Sequence, residues 1–201
     1  MITFNDASFF ESKQALDACI KQELEQFRLN QFLKLKEYVS LRLAFLKKQP
    51  NNELSSAYLQ QFSPKIALFA GSFNPFHKGH YNVLQKAEKI FDKVIIAFGQ
   101  NPDKTERDWP IPTSIQNRQI EHYDGLLTDL VASLGEELIV IRGLRNSTDF
   151  QYEQNQYRYI QELMPNIKIV NIFCDKEFEH ISSSGIRTLK KYDRHQNYLL
   201  D

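Results

Sequence analysis

The sequence predicts an α/β domain, a Rossmann-like parallel sheet flanked by helices, with an all-helical N-terminal extension. Three observations predict it. From residue 64 onward, short apolar runs alternate with stretches of helical periodicity. The loop after the first run is dense in glycine and histidine, as ligand loops between strand and helix are. Residues 1–63 contain no glycine and a single proline, Pro50, and space their apolar residues as helices do.

The extension, 1–63, comes first. Ser8 and Glu11 form a capping-box pattern. Leu16, Ile20, Leu24 and Phe27 then share one helical face, and Phe32, Leu35, Val39, Leu43 and Leu46 continue on a shifted stripe. Asn30 lies between the stripes, so the segment reads as one bent helix or a helical hairpin. Gln49 to Asn52 ends it, and Leu54 to Phe62 reads as a further short helix. Such a stripe is not stable alone in water. The extension is expected to pack against the α/β domain, in cis or across a subunit contact.

The second domain, 64–201, opens with a buried strand, Lys65–Ala70. Gly71 to His80 is a loop, and Tyr81–Phe91 a helix with Val83, Leu84, Ala87 and Ile90 inward. Lys93–Phe98 is a strand. Three prolines make Asn101–Pro112 mostly loop. A helix over Gly125–Leu134, a strand over Leu138–Ile141, a helix over Thr148–Leu163, a strand over Ile167–Phe173 and a helix over Ser183–Tyr192 complete the pattern. Strands alternating with helices give parallel pairing and right-handed crossovers.

Composition excludes several classes. The 201 residues are 42% hydrophobic and 25% charged, with 25 basic and 25 acidic side chains and a formal net charge of zero. No basic excess supports nucleic-acid or membrane-surface binding. Any anion site must be built locally. The longest apolar runs, such as Ile66–Ala70, fall far short of the ~20 residues of a membrane span. The start, MITFNDASFF, lacks the pattern of a secretory signal. Cys19 and Cys174 share no motif spacing, so a reduced, cytoplasmic protein is expected.

The chemistry concentrates in Gly71-Ser72-Phe73-Asn74-Pro75-Phe76-His77-Lys78-Gly79-His80. Gly71 lets backbone pass close to a ligand, and the following helix N-terminus is an anion site. His77 and His80 sit three apart, placed to donate to phosphate oxygens. No third ligand turns them into a metal site.

This decapeptide resembles the signature of the HxGH nucleotidyltransferase superfamily. Ile141-Arg142-Gly143-Leu144-Arg145 with Asp149-Phe150-Gln151-Tyr152-Glu153 resembles bacterial phosphopantetheine adenylyltransferase, as do Leu163-Met164-Pro165, Ile181-Ser182-Ser183-Ser184 and the lysine motif Asn101 to Lys104. The resemblance implies transfer of AMP from ATP to 4′-phosphopantetheine, giving dephospho-coenzyme A and pyrophosphate, with Mg2+ carried by ATP. It implies that His80 contacts the phosphate in the transition state and that His77 contacts phosphates too. Ser72 and Phe73 would touch nucleotide and acceptor. Lys104 and Arg142 would hold the acceptor phosphate, and Arg145 the triphosphate. Gly143, Leu144, Glu153, Phe178, Ile181, Ser182, Ser183, Ser184 and Arg187 would frame the nucleotide, and Leu127 would line the pantetheine arm. A homo-oligomer is expected.

Plainer readings stand beside these. Arg142 and Arg145 could pair with Asp149 and Glu153, Lys104 and Arg187 could be solvated cations, and Ser182 to Ser184 could be a helix cap. His122, His180 and His195 read as structural or exposed, and Cys174 as a packed thiol. Asn74 stands where phosphopantetheine enzymes usually carry Asp, and His77 completes a strict HxGH. Both features lean toward nicotinate or nicotinamide mononucleotide as acceptor. The helix expected before Ile120 is reduced to Ser114–Gln119. That loss leaves open a nucleotide-binding paralogue without turnover.

Overall fold

In the computed structural model, residues 64–100, 109–134 and 137–201 are described, with positions 22, 25, 40, 44 and 48 before them. The chain divides into two compact units, Met1–Pro64 and Lys65–Asp201. Gln22, Glu25, Ser40 and Ala44 are helical. The remaining expectations for residues 1–63, and those for Lys104, lie outside the described residues.

In the second unit the apolar runs become strands because parallel central strands are covered on both faces. These are β1 (Ile66–Gly71) and β2 (Lys93–Gly99), buried along almost their whole length. The other strands are β3 (Ile120–Tyr123), β4 (Leu138–Leu144) and β5 (Lys168–Phe173). All pairs are parallel, in the order β3-β2-β1-β4-β5. Ile66 sits opposite both Lys93 and Leu138, so β1 is central. The chain winds outward from β1 to β3, then returns to the other side. The switch point therefore lies between β1 and β4, where ligands bind at strand carboxyl ends.

The helices are α1 (Lys78–Ala87), α2 (Leu127–Leu134), α3 (Ser147–Leu163) and α4 (Ser183–Lys190). The main core joins Phe69, Val94, Ile96 and Ile141 of the sheet to Val83, Leu84 and Ala87 of α1. Fully burying each such large side chain is worth about 1.5–3 kcal/mol. Phe73, Phe76 and Phe98 add an aromatic cluster with Phe69, whose ring lies 4.9 Å from that of Phe73. This cluster is the floor on which the histidine loop rests.

Helix α1 and strands β4 and β3 differ from the sequence reading. Helix α1 starts at Lys78, not Tyr81, because His77 caps it. It stops at Ala87, so Ile90 falls in a turn and is 58% exposed rather than inward. Strand β4 runs on through Leu144, pairing Arg142 with Asn171 and Leu144 with Phe173. Strand β3 is an added edge, and among the described residues between β2 and β3 the helical structure is a 3-10 turn, Thr113–Ile115.

Candidate functional site

The carboxyl ends of β1 and β4 open into a cavity of about 340 Å³. Gly71 ends β1 where a Cβ would stand 2.7 Å from the Phe73 ring, so only glycine lets Phe73 fold back beneath the loop. Phe73 takes a positive φ of 42° to do so. Its ring meets His80 edge-on at 4.8 Å, and Phe76 lies 5.4 Å from the same imidazole.

His77 and His80 form a reciprocal cap. The His80 backbone N–H donates to Nδ1 of His77 at 3.4 Å, and the His77 N–H donates to Nδ1 of His80 at 3.3 Å. The rings stack with centroids 3.6 Å apart. A ring accepting at Nδ1 while neutral carries its proton on Nε2. Burial first, and the Arg145 charge second, push His77 down to about 3. Burial, then His77, then Arg145 hold His80 well below its ordinary value. Both are neutral Nε2–H donors near neutral pH, so the cavity gains two polarised donors without two more charges.

These shifts set a pH dependence. In the unfolded chain each ring takes a proton near pH 6.5. Below that pH the unfolded state binds more protons than the folded one, so stability rises with pH there. The contribution is complete above about pH 6.5 and is lost as pH falls toward about 3 for His77. Thermal unfolding followed from about pH 7.5 to about pH 5, before most carboxylates titrate, should show a falling midpoint. An unchanged midpoint would contradict the neutral pair.

The cations come from β4, the turn after it and α4. Arg142 grips Glu153 through Nε and Nη2 at 2.6 and 2.7 Å, and its Nη1 donates to the Ala70 carbonyl at 3.0 Å. That last bond ties β4 to the end of β1. Arg145 holds Asp149 through Nε and Nη2, both at 2.8 Å, leaving Nη1 without a partner among the described residues. Arg187 donates to the Asn74 carbonyl at 2.5 Å. Three guanidinium groups and two carboxylates thus line the cavity, a surplus of one positive charge. Ser182 caps α4 by accepting from the Gly185 N–H at 3.1 Å, and Ser183 donates to the Pro75 carbonyl at 3.0 Å. Two helix N-termini therefore meet one cavity, where dipole and unpaired N–H groups favour an anion.

Most of the expected site residues line this cavity: Ser72, Phe73, His77, His80, Arg142, Gly143, Leu144, Arg145, Glu153, Ser182, Ser183, Ser184 and Arg187. Leu127, at the start of α2, is not among them. Phe178 and Ile181 are not among the lining residues either: Phe178 lies beside Gly79 and packs on the core, and Ile181 is buried. The alternative pairing of both arginines is what this structure holds, although each still faces the cavity. Tyr152 and Cys174 also line it, without a signal of their own beyond the DFxYE segment and the strand end. Cys174 is buried, as a packed thiol should be. His122 lies flat against Phe98, His180 meets Tyr198, and His195 meets Trp109. Among the described residues no three His, Cys, Asp or Glu side chains gather as a metal site.

The Cytidylyltransferase-like family matches residues 68–189. The chain is similar to the phosphopantetheine adenylyltransferase of Cytophaga hutchinsonii, with 38% identity over 138 residues, 64% of this chain and 91% of the relative. It is 35% identical to that of Mycoplasma capricolum over 145 residues, 65% of this chain and 99% of the relative. A solved Vibrio parahaemolyticus structure assigned as a nicotinate-nucleotide adenylyltransferase shares the fold at TM-score 0.50 and 19% identity, covering 69% of this chain and 95% of that one.

Proposed function

The chain belongs to the Cytidylyltransferase-like family, among its phosphopantetheine adenylyltransferase-like members, and on that premise we propose that it moves AMP from ATP onto the phosphate of 4′-phosphopantetheine. The products are dephospho-coenzyme A and pyrophosphate. A phosphate oxygen of the acceptor attacks the α-phosphorus, and the bond to the bridging oxygen of the β-phosphate breaks. Mg2+ carried by ATP would neutralise charge on the phosphates as pyrophosphate leaves.

One observation carries this reading: the cavity is built of donors. His80 presents a neutral Nε2–H, α1 and α4 present N-termini, and Arg145 retains an Nη1 without a partner among the described residues. Such groups stabilise charge that grows on the α-phosphate and hold two substrates in line. Burial raises the Cys174 thiol, the opposite of an activated nucleophile. Arg142, at the β1–β4 junction, is the cation for the acceptor phosphate, with Lys104 as its expected second.

The reading includes a homo-oligomer in the cytoplasm. Helix α3 has 17 residues and none buried, with Tyr152, Tyr159 and Leu163 all at least 60% exposed. The adjoining edge strand exposes Phe173. Light scattering on the purified chain should give a multiple of 23.6 kDa; the monomer mass would contradict it. No helix among the described residues is long and apolar enough to cross a membrane.

A second reading, nicotinate mononucleotide as acceptor, is favoured by Asn74, whose buried Oδ1 has no partner among the described residues. Pyrophosphate release from Mg-ATP with phosphopantetheine, with nicotinate mononucleotide and without acceptor separates the two. Phosphopantetheine should turn over and the mononucleotide hardly at all. Equal or reversed rates would move the acceptor. ATP binding without turnover would leave a nucleotide-binding protein.

A further inference from the structure

The adenylyl-transfer reading does not use the segment after α4, yet that segment touches the histidine loop directly. Gln196–Tyr198 form a 3-10 turn, and Leu199 pairs antiparallel with His77. One residue along the loop, Lys78 Nζ donates to the Asn197 carbonyl at 2.7 Å. Leu200 packs against the main core, and the Tyr198 ring lies 5.9 Å from that of His180. The segment therefore holds two consecutive residues of the loop and is itself anchored on both sides of them.

The consequence falls on His80. Its Nδ1 accepts the main-chain N–H of His77. A main-chain donor is present whatever side chain residue 77 carries. The position of that backbone, rather than the His77 ring, selects the tautomer of His80. The same backbone is the one that pairs with Leu199. A neutral imidazole released from that N–H is free to carry its proton on either nitrogen, and with the proton on Nδ1 it offers an acceptor to the phosphate where a donor is needed. The His77 ring, stacked at 3.6 Å, limits rotation but does not choose the proton's site.

We propose that residues 196–200 are a positioning element of the site: paired with His77, they hold the main-chain N–H that keeps the His80 proton on Nε2. The kinetic part of this proposal rests on the adenylyl-transfer reading. The tautomer part does not.

Two full-length variants test it. In one, residues 196–200 are replaced by glycine and serine; in the other, Lys78→Met removes the anchor on Asn197 and leaves the segment's sequence intact. Nitrogen NMR of the His80 ring reads the tautomer without any substrate. The native chain should show Nε2–H alone. The glycine-serine variant should show a mixture of both tautomers, and Lys78→Met a smaller change in the same direction. In pyrophosphate release with phosphopantetheine, kcat of the first variant should fall about 10- to 100-fold, with KM for ATP within about twofold. A cooperatively folded glycine-serine variant with Nε2–H alone and native kcat overturns the proposal. If that variant does not fold, a native tautomer and native kcat in Lys78→Met overturn it. Absence of turnover in the native chain defeats the adenylyl-transfer reading, and the NMR result still decides the tautomer.

Discussion

His80→Ala should lower kcat by roughly 10²–10³-fold, about 2.7–4 kcal/mol of barrier. The ring's Nδ1 is occupied by the His77 N–H, so Nε2–H is what it offers the cavity. A donor aimed at charge that appears only during transfer contributes to the transition state and little to ground-state binding. ATP affinity, read by calorimetry, should therefore change far less than kcat. Loss of affinity in step with kcat would make His80 a ground-state binder. A near-native kcat would remove it from the chemistry.

Glu153→Ala should destabilise the domain by about 3–5 kcal/mol. The Arg142–Glu153 side chains are only 19% and 14% exposed, and two hydrogen bonds join them. Removing the carboxylate strands a cation in a mostly dry place, which costs more than the intact pair contributes. The unfolding midpoint should drop by roughly 10 °C. The double change Arg142→Met with Glu153→Leu should recover most of that stability, since apolar replacement of a whole buried pair is often neutral. It should not recover transfer, because the acceptor phosphate loses its cation. A double variant that is both stable and active would take Arg142 out of acceptor binding.

The site was more legible than the edges of the fold. Gly71, the strict HxGH and the Arg142 to Arg145 segment announce themselves because a phosphate site needs glycine, helix N-termini and fixed cations at set spacing. The cap was not legible: imidazole is not among the preferred N-cap side chains, so His77 read as loop and α1 as starting later. Strand β3 escaped because four residues, Ile-Glu-His-Tyr, half exposed at a sheet edge, carry little periodicity. Ile90 sits at helical spacing, but the chain leaves the helix first, with the Lys89 and Ile90 N–H groups donating three residues back, to the Lys86 and Ala87 carbonyls at 3.2 and 2.9 Å. The arginine pairs were readable as one of two alternatives, and the structure holds the carboxylate pairing, with each guanidinium at the cavity wall.

Direct transfer of AMP to an acceptor phosphate is the central step. The measurement closest to it is product analysis of the purified full-length chain incubated with Mg-ATP and 4′-phosphopantetheine, with His80→Ala in parallel. Dephospho-coenzyme A and pyrophosphate should accumulate in equal amounts, and His80→Ala should make both at a rate lower by roughly 10²–10³-fold. Pyrophosphate without dephospho-coenzyme A, or neither product from a chain that binds ATP, would contradict it.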